Sequence, residues 1–456
     1  MRLVRPVRLL PGGASRCPAG RIASCPVRTR FFAGLPREVA VLTAVAFAVA
    51  VGFGVVAPAI PQFARDFGVG RTAAGAVISA FAFMRLVSAL GSGRLVNRVG
   101  ERVVLATGIG IVAVSSALAG LAQSYTQLLL LRGIGGIGSA MFTVSAVSLL
   151  LRVVDADQRG RATSRWQTGF LLGAIAGPAI GGPLTDISLR APIFVYAGTL
   201  AAAGSIGMLF LTRTELHERD EAAKSSPVTA TTLGQALRVS GYRAALAASL
   251  GNGWVLFGVR SSLIPLFVTD REGIGATSTW VGIGLFASAA TQGLALLFVG
   301  GFTDRVGRRP GMIAGAAVST VCMLTLAASD SLAAYVVAMA GFGVGAAFLT
   351  VAPSSAVGDV VSGRGGTVVA AFQMAADLGA VVGPLAAGAL ADSYSYGAAF
   401  TATAGVVALG FVAALFSSET RPRSKDTQPL RPVMGGLRPS TQPAEGAKPP
   451  LDGDLA

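Results

Sequence analysis

Charged residues are scarce in this chain of 456 residues: Asp, Glu, Lys and Arg together make up 13% of it. Soluble domains carry about 25%. Hydrophobic residues contribute 52% of the sequence, and the mean hydropathy is +0.65. This balance excludes an ordinary water-soluble globular protein and predicts that the chain lies in a lipid bilayer.

Histidine and cysteine are almost absent. The single histidine, His217, lies in a charged segment between apolar stretches. The cysteines, Cys17, Cys25 and Cys322, have neither the spacing of a disulfide framework nor that of a metal site. Because imidazole and thiolate are the usual transition-metal ligands, the sequence argues against a metalloenzyme. We expect no cofactor, no bound metal and no enzymatic activity.

Acidic residues are outnumbered, since 37 Lys and Arg face 22 Asp and Glu and give a net charge of +15. In a soluble protein this excess would suggest nucleic-acid binding. Here the basic residues lie between the apolar stretches, so we expect no nucleic-acid partner. If both termini are cytoplasmic, nearly all basic residues are on the cytoplasmic side, as the positive-inside rule requires. Two groups of basic residues are exceptions. Those expected on the outer side of the membrane are Arg65, Arg71, Arg190 and Arg271, and those expected within the spans are Arg85, Arg132 and Arg260.

Twelve apolar stretches are long enough to cross the bilayer, which takes about 20 helical residues. They are 39–61, 72–95, 102–122, 126–151, 163–187, 191–212, 243–268, 278–302, 309–328, 332–358, 366–391 and 395–417. The polar break at 213–242 groups them as six plus six. We therefore predict an all-α membrane protein with twelve transmembrane helices in two six-helix bundles.

The division of the chain follows from these stretches. We expect bundles at 38–212 and 243–417, joined by a cytoplasmic central loop at 213–242. Residues 1–37 carry eight arginines and no acid, so we expect a basic cytoplasmic tail, with a targeting segment as the alternative. Residues 418–456 are rich in Pro, Gly, Arg and Lys, which predicts a disordered cytoplasmic tail. The expected location is the plasma membrane, as a multi-pass protein.

The two halves repeat each other at an offset of 204 to 207 residues. The matching segments are 61–66 with 265–270, 93–102 with 300–309, and 173–184 with 379–390. Parallel repeats of this kind supply two rigid bodies that can rock about a central site and expose it alternately. The repeat therefore favours a transporter.

Residues 39–417 resemble the major facilitator superfamily. The family signature Gly-x-Leu-x-Asp-Arg-x-Gly-Arg-Arg is matched well at 300–309 and less well at 93–102, where Asn97 replaces the Asp and Glu101 replaces a basic residue. The resemblance implies that these cytoplasmic loops lock the outward-facing state by charge contacts and a helix-dipole interaction. The implied gating residues are Gly93, Asn97, Arg98, Gly100, Arg102, Gly300, Asp304, Arg305, Gly307, Arg308 and Arg309.

Further motifs resemble those of proton-coupled antiporters in this family. The segment 132–140 is similar to the family's span-4 arginine motif, implicated in proton coupling, with Gly135 where Gln is usual. Span 1 has Gly52, Pro58 and Pro61, a pattern common among exporters. Span 5 matches the antiporter motif through Gly173, Gly177, Pro178, Gly181 and Gly182. The resemblance implies drug or metabolite efflux, including multidrug resistance, powered by the proton gradient.

Four ionisable residues lie deep in predicted spans: Arg85, Arg132, Arg260 and Asp377. Each costs roughly 2.5–3.5 kcal/mol on insertion scales, so each should face a cavity or a partner. Arg85 and Asp377 have similar depths, and spans 2 and 11 face each other in the family fold, so we expect a direct or water-bridged pair. Asp377 is the candidate proton carrier. The alternative is that it only neutralises an arginine.

Three arginines against one aspartate would leave a positive cavity, which favours a neutral or anionic small molecule. Arg132 and Arg260 would contact an anion or couple protons, unless backbone carbonyls hold their charge. The favoured function is proton-coupled efflux of small organic molecules by alternating access, by a monomer with protons and lipid as partners. The alternatives are an importer of an organic anion or sugar, and a non-transporting membrane sensor.

Overall fold

The computed structural model describes residues 35–154, 158–210, 231–361 and 366–420. Every regular element within these ranges is a helix. The helices of the first half are α1 (Arg37–Val56), α2 (Ala59–Arg65), α3 (Arg71–Val99), α4 (Glu101–Gly120), α5 (Tyr125–Val153), α6 (Arg159–Ile187) and α7 (Ala191–Phe210). Those of the second half are α8 (Leu233–Arg238), α9 (Ser240–Asn252), α10 (Arg260–Thr269), α11 (Ser278–Arg305), α12 (Arg308–Ala328), α13 (Leu332–Val360), α14 (Gly366–Ser393) and α15 (Tyr396–Leu415).

Eleven helical stretches in the described part of the chain are long and apolar enough to cross a membrane. One of them joins α1 and α2 across a break at Pro58. The span expected at 243–268 is present as α9, a π-helical segment at Gly253–Val259 and α10, which follow one another without a gap. Counted with this interrupted helix, the described residues contain the twelve membrane-length stretches that the sequence predicts.

The π-helical segment lies where α9 and α14 come very close. A Cβ at Gly253 would lie 1.9 Å from the carbonyl oxygen of Ala376, and one at Gly379 would lie 2.2 Å from the carbonyl oxygen of Leu250. Small residues allow such backbone contact between membrane helices. Hydropathy carries no signal for a π turn, so the sequence predicted an uninterrupted helix here.

Residues 233–238 and 240–242, which the sequence assigned to the central loop, are helical. Thr232 accepts from the backbone N–H of Gln235 while the Gln235 side chain accepts from the backbone N–H of Thr232, a capping box that starts α8. The next helix, α9, begins at Ser240. Residues 213–230 of the predicted loop with His217, residues 1–34 and 421–456 of the predicted tails, and residues 211–212 of the sixth predicted span lie outside the described residues.

Each half folds around its own central helices. In the first half α1 packs on α6 and α7, and α5 packs on α3 and α4. In the second half α13 packs on α11 and α12, while α14 packs on α9 and the π segment. The halves meet along two interfaces, α6 with α11 and α3 with α14.

The helix ends define two faces of the bundle. We call the face that holds Arg37 and Leu415 the terminal face, and the opposite one, which holds the chain connections at 66–70, 188–190, 270–277 and 394–395, the distal face. At the terminal face, the chain turns from α3 to α4 at Gly100, with φ of 93°, and from α11 to α12 at Gly307, with φ of 134°. Glycine is required there because other residues rarely adopt positive φ.

Candidate functional site: the interface between the two halves

Arg85 and Asp377 meet at the α3–α14 interface. Arg85 Nη2 donates a hydrogen bond to Asp377 Oδ1, and the side chains are 29% and 22% exposed. Nearer the distal face on the same interface, Ser79 Oγ donates to the carbonyl oxygen of Val381 at 2.6 Å. The pairing predicted from their depth is therefore present. The contact is compatible with both roles considered for Asp377, the proton carrier and the fixed counter-charge.

Arg132 lies on α5 and is 4% exposed. Its Cζ atom lies 4.6 Å from the centre of the Phe81 ring on α3, so the aromatic face stabilises the guanidinium. Its Nε has no hydrogen-bond partner. No backbone carbonyl or carboxylate of the described residues pairs with this charge. The structure thus places a buried, incompletely satisfied cation in the first half.

Arg260 opens α10 directly after the π segment and is half-buried. Within the described ranges it has neither a hydrogen-bond nor an ion-pair partner. The structure therefore pairs only one of the three intramembrane arginines with the aspartate. The positive cavity expected from three arginines and one aspartate stays a prediction.

The signature loop of the second half is tied to its own half. Arg308 pairs with Asp304 at 3.2 Å and with Asp359 at 2.8 Å. The backbone N–H groups of Arg308 and Arg309 donate to Glu419, which caps α12. Asp304 itself is 71% exposed. The roles of Asp359 and Glu419 were not predicted, because neither belongs to the signature.

The first half shows a related arrangement at its signature loop. Glu101, which stands where the signature has a basic residue, is buried and accepts from Arg152 at 3.1 Å and from Ser148 at 3.2 Å. Arg102 donates to the carbonyl oxygen of Met208. A Cβ at Gly93 or at Gly300 would meet nothing within 4 Å. Glu101 thus stands at the position of a basic signature residue, and its contacts with Arg152 and Ser148 lie inside its own half.

The remaining gating residues lie in the same two loops. Arg98 is exposed near the end of α3, and Arg305 is exposed at the end of α11. Asn97 belongs to α3. Their function in locking the terminal face stays a prediction.

The antiporter-motif glycines of α6 face two different helices. A Cβ at Gly173, Gly177 or Gly181 would lie 2.3–2.6 Å from backbone carbonyl oxygens of α1. A Cβ at Gly182 would lie 2.7 Å from the carbonyl oxygen of Ser278 on α11, and the Pro178 carbonyl points at α11 as well. The motif therefore allows close packing both inside the first half and between the halves.

The distal face holds a cluster of contacts between the halves that sequence reasoning missed. Arg71 of α3 donates to Tyr396 Oη and to the Ala391 carbonyl, both at 2.9 Å, and pairs with Asp270 at 3.4 Å and with Glu272. Tyr396 in turn donates to Asp270 at 2.5 Å. The hydrogen bond and charge of Arg71 hold the pKa of Glu272 below its usual range. Three helix ends of the second half are thus bound to one arginine.

Two aspartates complete the distal contacts. Asp392, at the end of α14, accepts from the first turn of α3, and Asp186, at the end of α6, accepts from the first turn of α11. A sequence signal existed, because the repeat continues from the antiporter motif as Leu-Thr-Asp at 184–186 and Leu-Ala-Asp at 390–392.

A bundle of membrane-length helices built as two parallel repeats, with charges at the contact between them, is the architecture of secondary transporters. The chain belongs to the Major Facilitator Superfamily, whose sequence model matches residues 42–292 and 255–444. Multidrug resistance protein 1 of Bacillus subtilis (strain 168) is 26% identical over 245 residues, 53% of this chain and 61% of that protein. Quinolone resistance protein NorA of Staphylococcus aureus (strain Mu50 / ATCC 700699) is 26% identical over 165 residues, 36% of this chain and 42% of that protein.

The chain thus spans about half the length of the curated relatives it matches. Solved structures agree with the fold. A bacterial homologue of the human lysosomal transporter Spinster, in an inward-facing and unoccupied conformation, has a TM-score of 0.68 and 15% identity over 86% of this chain and 98% of that one. The nucleoside transporter NupG has a TM-score of 0.65 and 16% identity over 83% and 99%.

Proposed function

We propose that this protein is a proton-coupled exporter of small organic molecules that works by alternating access. The observation that carries the proposal is the Arg85–Asp377 pair, which joins the two halves inside the spans. A charge pair that links two moving bodies can change its protonation when the bodies separate. Multidrug and quinolone resistance proteins among the relatives support export over import.

We infer the orientation from the distribution of arginine and lysine, which puts the terminal face in the cytoplasm. The distal face then lies outside. Because the halves are bound together at the distal face, we infer an inward-facing state that opens towards the cytoplasm.

The coupling step follows from the position of Asp377. In this state the Asp377 carboxylate accepts a direct hydrogen bond from Arg85. When α3 and α14 separate, the carboxylate loses its partner in a medium of low dielectric, which favours protonation. A proton taken up from outside would therefore be released when the pair forms again on the cytoplasmic side.

The proposal for the substrate class is supported by two arginines that lack a carboxylate partner among the described residues. Arg132 is buried and Arg260 half-buried, and no carboxylate of the described residues balances either one. A fully cationic substrate would have to approach both charges. We propose a neutral or anionic solute, carried by a monomer that needs no cofactor.

The same two arginines support a second candidate, an importer of an organic anion or sugar. A non-transporting sensor with this fold is a third possibility, which the charge pair between the halves disfavours, since a rigid scaffold has no need of one.

Flux in proteoliposomes with an imposed pH gradient separates these functions. We expect an inward proton gradient to drive uphill movement of a neutral or anionic solute in the opposite direction. A protonophore that collapses the gradient should abolish this movement. Accumulation of an anion on the side towards which protons flow would favour the importer over the exporter. The absence of any flux across cationic, neutral and anionic solutes would favour the sensor.

A further inference from the structure

The two aspartates at the distal face make equivalent contacts in opposite directions. Asp392 of the second half accepts from Arg71 N at 2.9 Å, from Thr72 N at 2.8 Å and from Thr72 Oγ1 at 2.7 Å in the first half. Each aspartate oxygen thus faces a backbone N–H at the first turn of α3. These N–H groups have no partner inside their own helix.

Asp186 of the first half repeats this arrangement on the second half. It accepts from Ser278 N at 2.6 Å, from Thr279 N at 2.9 Å and from Thr279 Oγ1 at 2.5 Å. Asp392 follows Asp186, and Thr279 follows Thr72, by a number of residues that falls in the range of the sequence repeat, 204 to 207. The two contacts are therefore one device, built twice by the internal repeat.

The helices around these contacts also approach in the same way at both sites. A Cβ at Gly282 would lie 2.5 Å from the carbonyl oxygen of Pro178, and a Cβ at Gly75 would lie 2.6 Å from that of Pro384. Backbone contact this close holds the aspartate against the first turn of the opposing helix. Rocking of the halves would separate each aspartate from its N–H donors.

We propose that Asp186 and Asp392 are a pair of distal clamps, each of which holds the distal face closed by capping the first turn of a helix in the other half. A carboxylate is well suited to this role, because it satisfies free N–H groups and interacts favourably with the positive end of the helix dipole. Both clamps must release before the distal face can open. The clamps are distinct from the terminal-face signature loops, whose described polar contacts stay within their own halves.

The two clamps are supported unequally by their neighbours. Arg71, at the Asp392 clamp, adds a network with Asp270, Glu272 and Tyr396. At the equivalent position of the Asp186 clamp stands Ser278, whose hydroxyl donates to Gln62 at 3.1 Å. The surroundings of the Asp392 clamp should therefore hold the distal face more strongly, although the two aspartates themselves accept equivalent hydrogen bonds.

The test measures the distance between the halves at the distal face in the full chain. Spin labels on cysteines at Gln123 and Ala333, exposed positions at the distal ends of the two halves, report opening in lipid nanodiscs after the native cysteines are replaced. We expect Asp186→Ala and Asp392→Ala each to raise the ratio of open to closed distances by about fivefold, which corresponds to ~1 kcal/mol per cap. The double variant should raise it by the product of the two.

Asp330→Ala is the matched control, because Asp330 is an exposed aspartate on the same face that takes part in neither clamp. If the alanine variants insert poorly, Asp186→Asn and Asp392→Asn keep the side-chain volume and one cap oxygen and should shift the ratio in the same direction by less. An unchanged distance distribution in either clamp variant would overturn the proposal, as would an equal shift in Asp330→Ala.

Discussion

The two interfaces between the halves have equivalent helices and distal clamps but differ along the rest of their length. The α3–α14 interface adds Ser79 and the Arg85–Asp377 pair to its clamp. At the α6–α11 interface, Gly293 instead faces Leu171 and Ile175. The α3–α14 interface therefore contains a charge pair inside the spans, whereas this contact of the α6–α11 interface is apolar. The repeat supplies the close helix contacts and the distal clamps twice, whereas the proposed proton coupling belongs to the α3–α14 interface, which holds the charge pair.

Breaking the charge pair should have the largest effect on this comparison. Arg85→Ala should lower the free energy of unfolding by roughly 2 kcal/mol, because a half-buried carboxylate is left without its partner. In a double-mutant cycle with Asp377→Ala, the coupling energy should be roughly 1–3 kcal/mol. Denaturation in detergent measures both. The control is Arg94→Ala, an exposed arginine on the same helix, and a coupling energy near zero would contradict the pair.

Substitution of the contact glycines should show that the two interfaces are mechanically equivalent. Gly282→Ala and Gly75→Ala each place a Cβ against a proline carbonyl at 2.5 and 2.6 Å, so each should destabilise the closed distal face by ~1–3 kcal/mol. Gly198→Ala, where a Cβ meets nothing within 4 Å, should stabilise its helix by up to about 1 kcal/mol. Thermal unfolding and the distal distance should change together. A large effect at only one interface would show that they are not equivalent.

Removal of the Ser79 hydroxyl should have a smaller effect that is confined to the α3–α14 interface. Ser79→Ala loses one hydrogen bond to Val381 across the halves, worth about 1 kcal/mol. We expect the distal distance ratio to rise two- to fivefold. Ser205→Ala removes a hydroxyl that bonds only within its own helix, and it should leave the ratio unchanged.

The smallest expected effect is a pH dependence of the distal face. Arg71 lowers the pKa of Glu272, so the contribution of their contact to closure is present above the ordinary pKa of glutamate and is lost as the pH falls through the lowered value. Glu272→Gln should remove this acid-dependent weakening of closure. The distal distance ratio, measured from neutral pH down to pH ~3, tests it, and an unaltered pH profile in the variant would contradict this role of Glu272.

Much of the fold was predictable because bilayer thickness fixes the length of apolar stretches and the repeat fixes their grouping. The Arg85–Asp377 pair was predictable because charges deep in a span are rare and need partners. The π segment was not, since it depends on the approach of Gly253 to a carbonyl of α14. The Asp186 and Asp392 clamps were missed because aspartates at the ends of spans are common, and only the packed structure brings them to the first turn of another helix.

The central claim is that Asp377 couples the motion of the halves to protons. The most direct test compares Asp377→Asn with the unaltered protein in the same proteoliposomes, measuring both proton-driven uphill flux and solute exchange at equal pH. We predict that the variant loses uphill flux and keeps solute exchange, because alternating access survives without a proton carrier. Uphill flux equal to that of the unaltered protein would contradict the account.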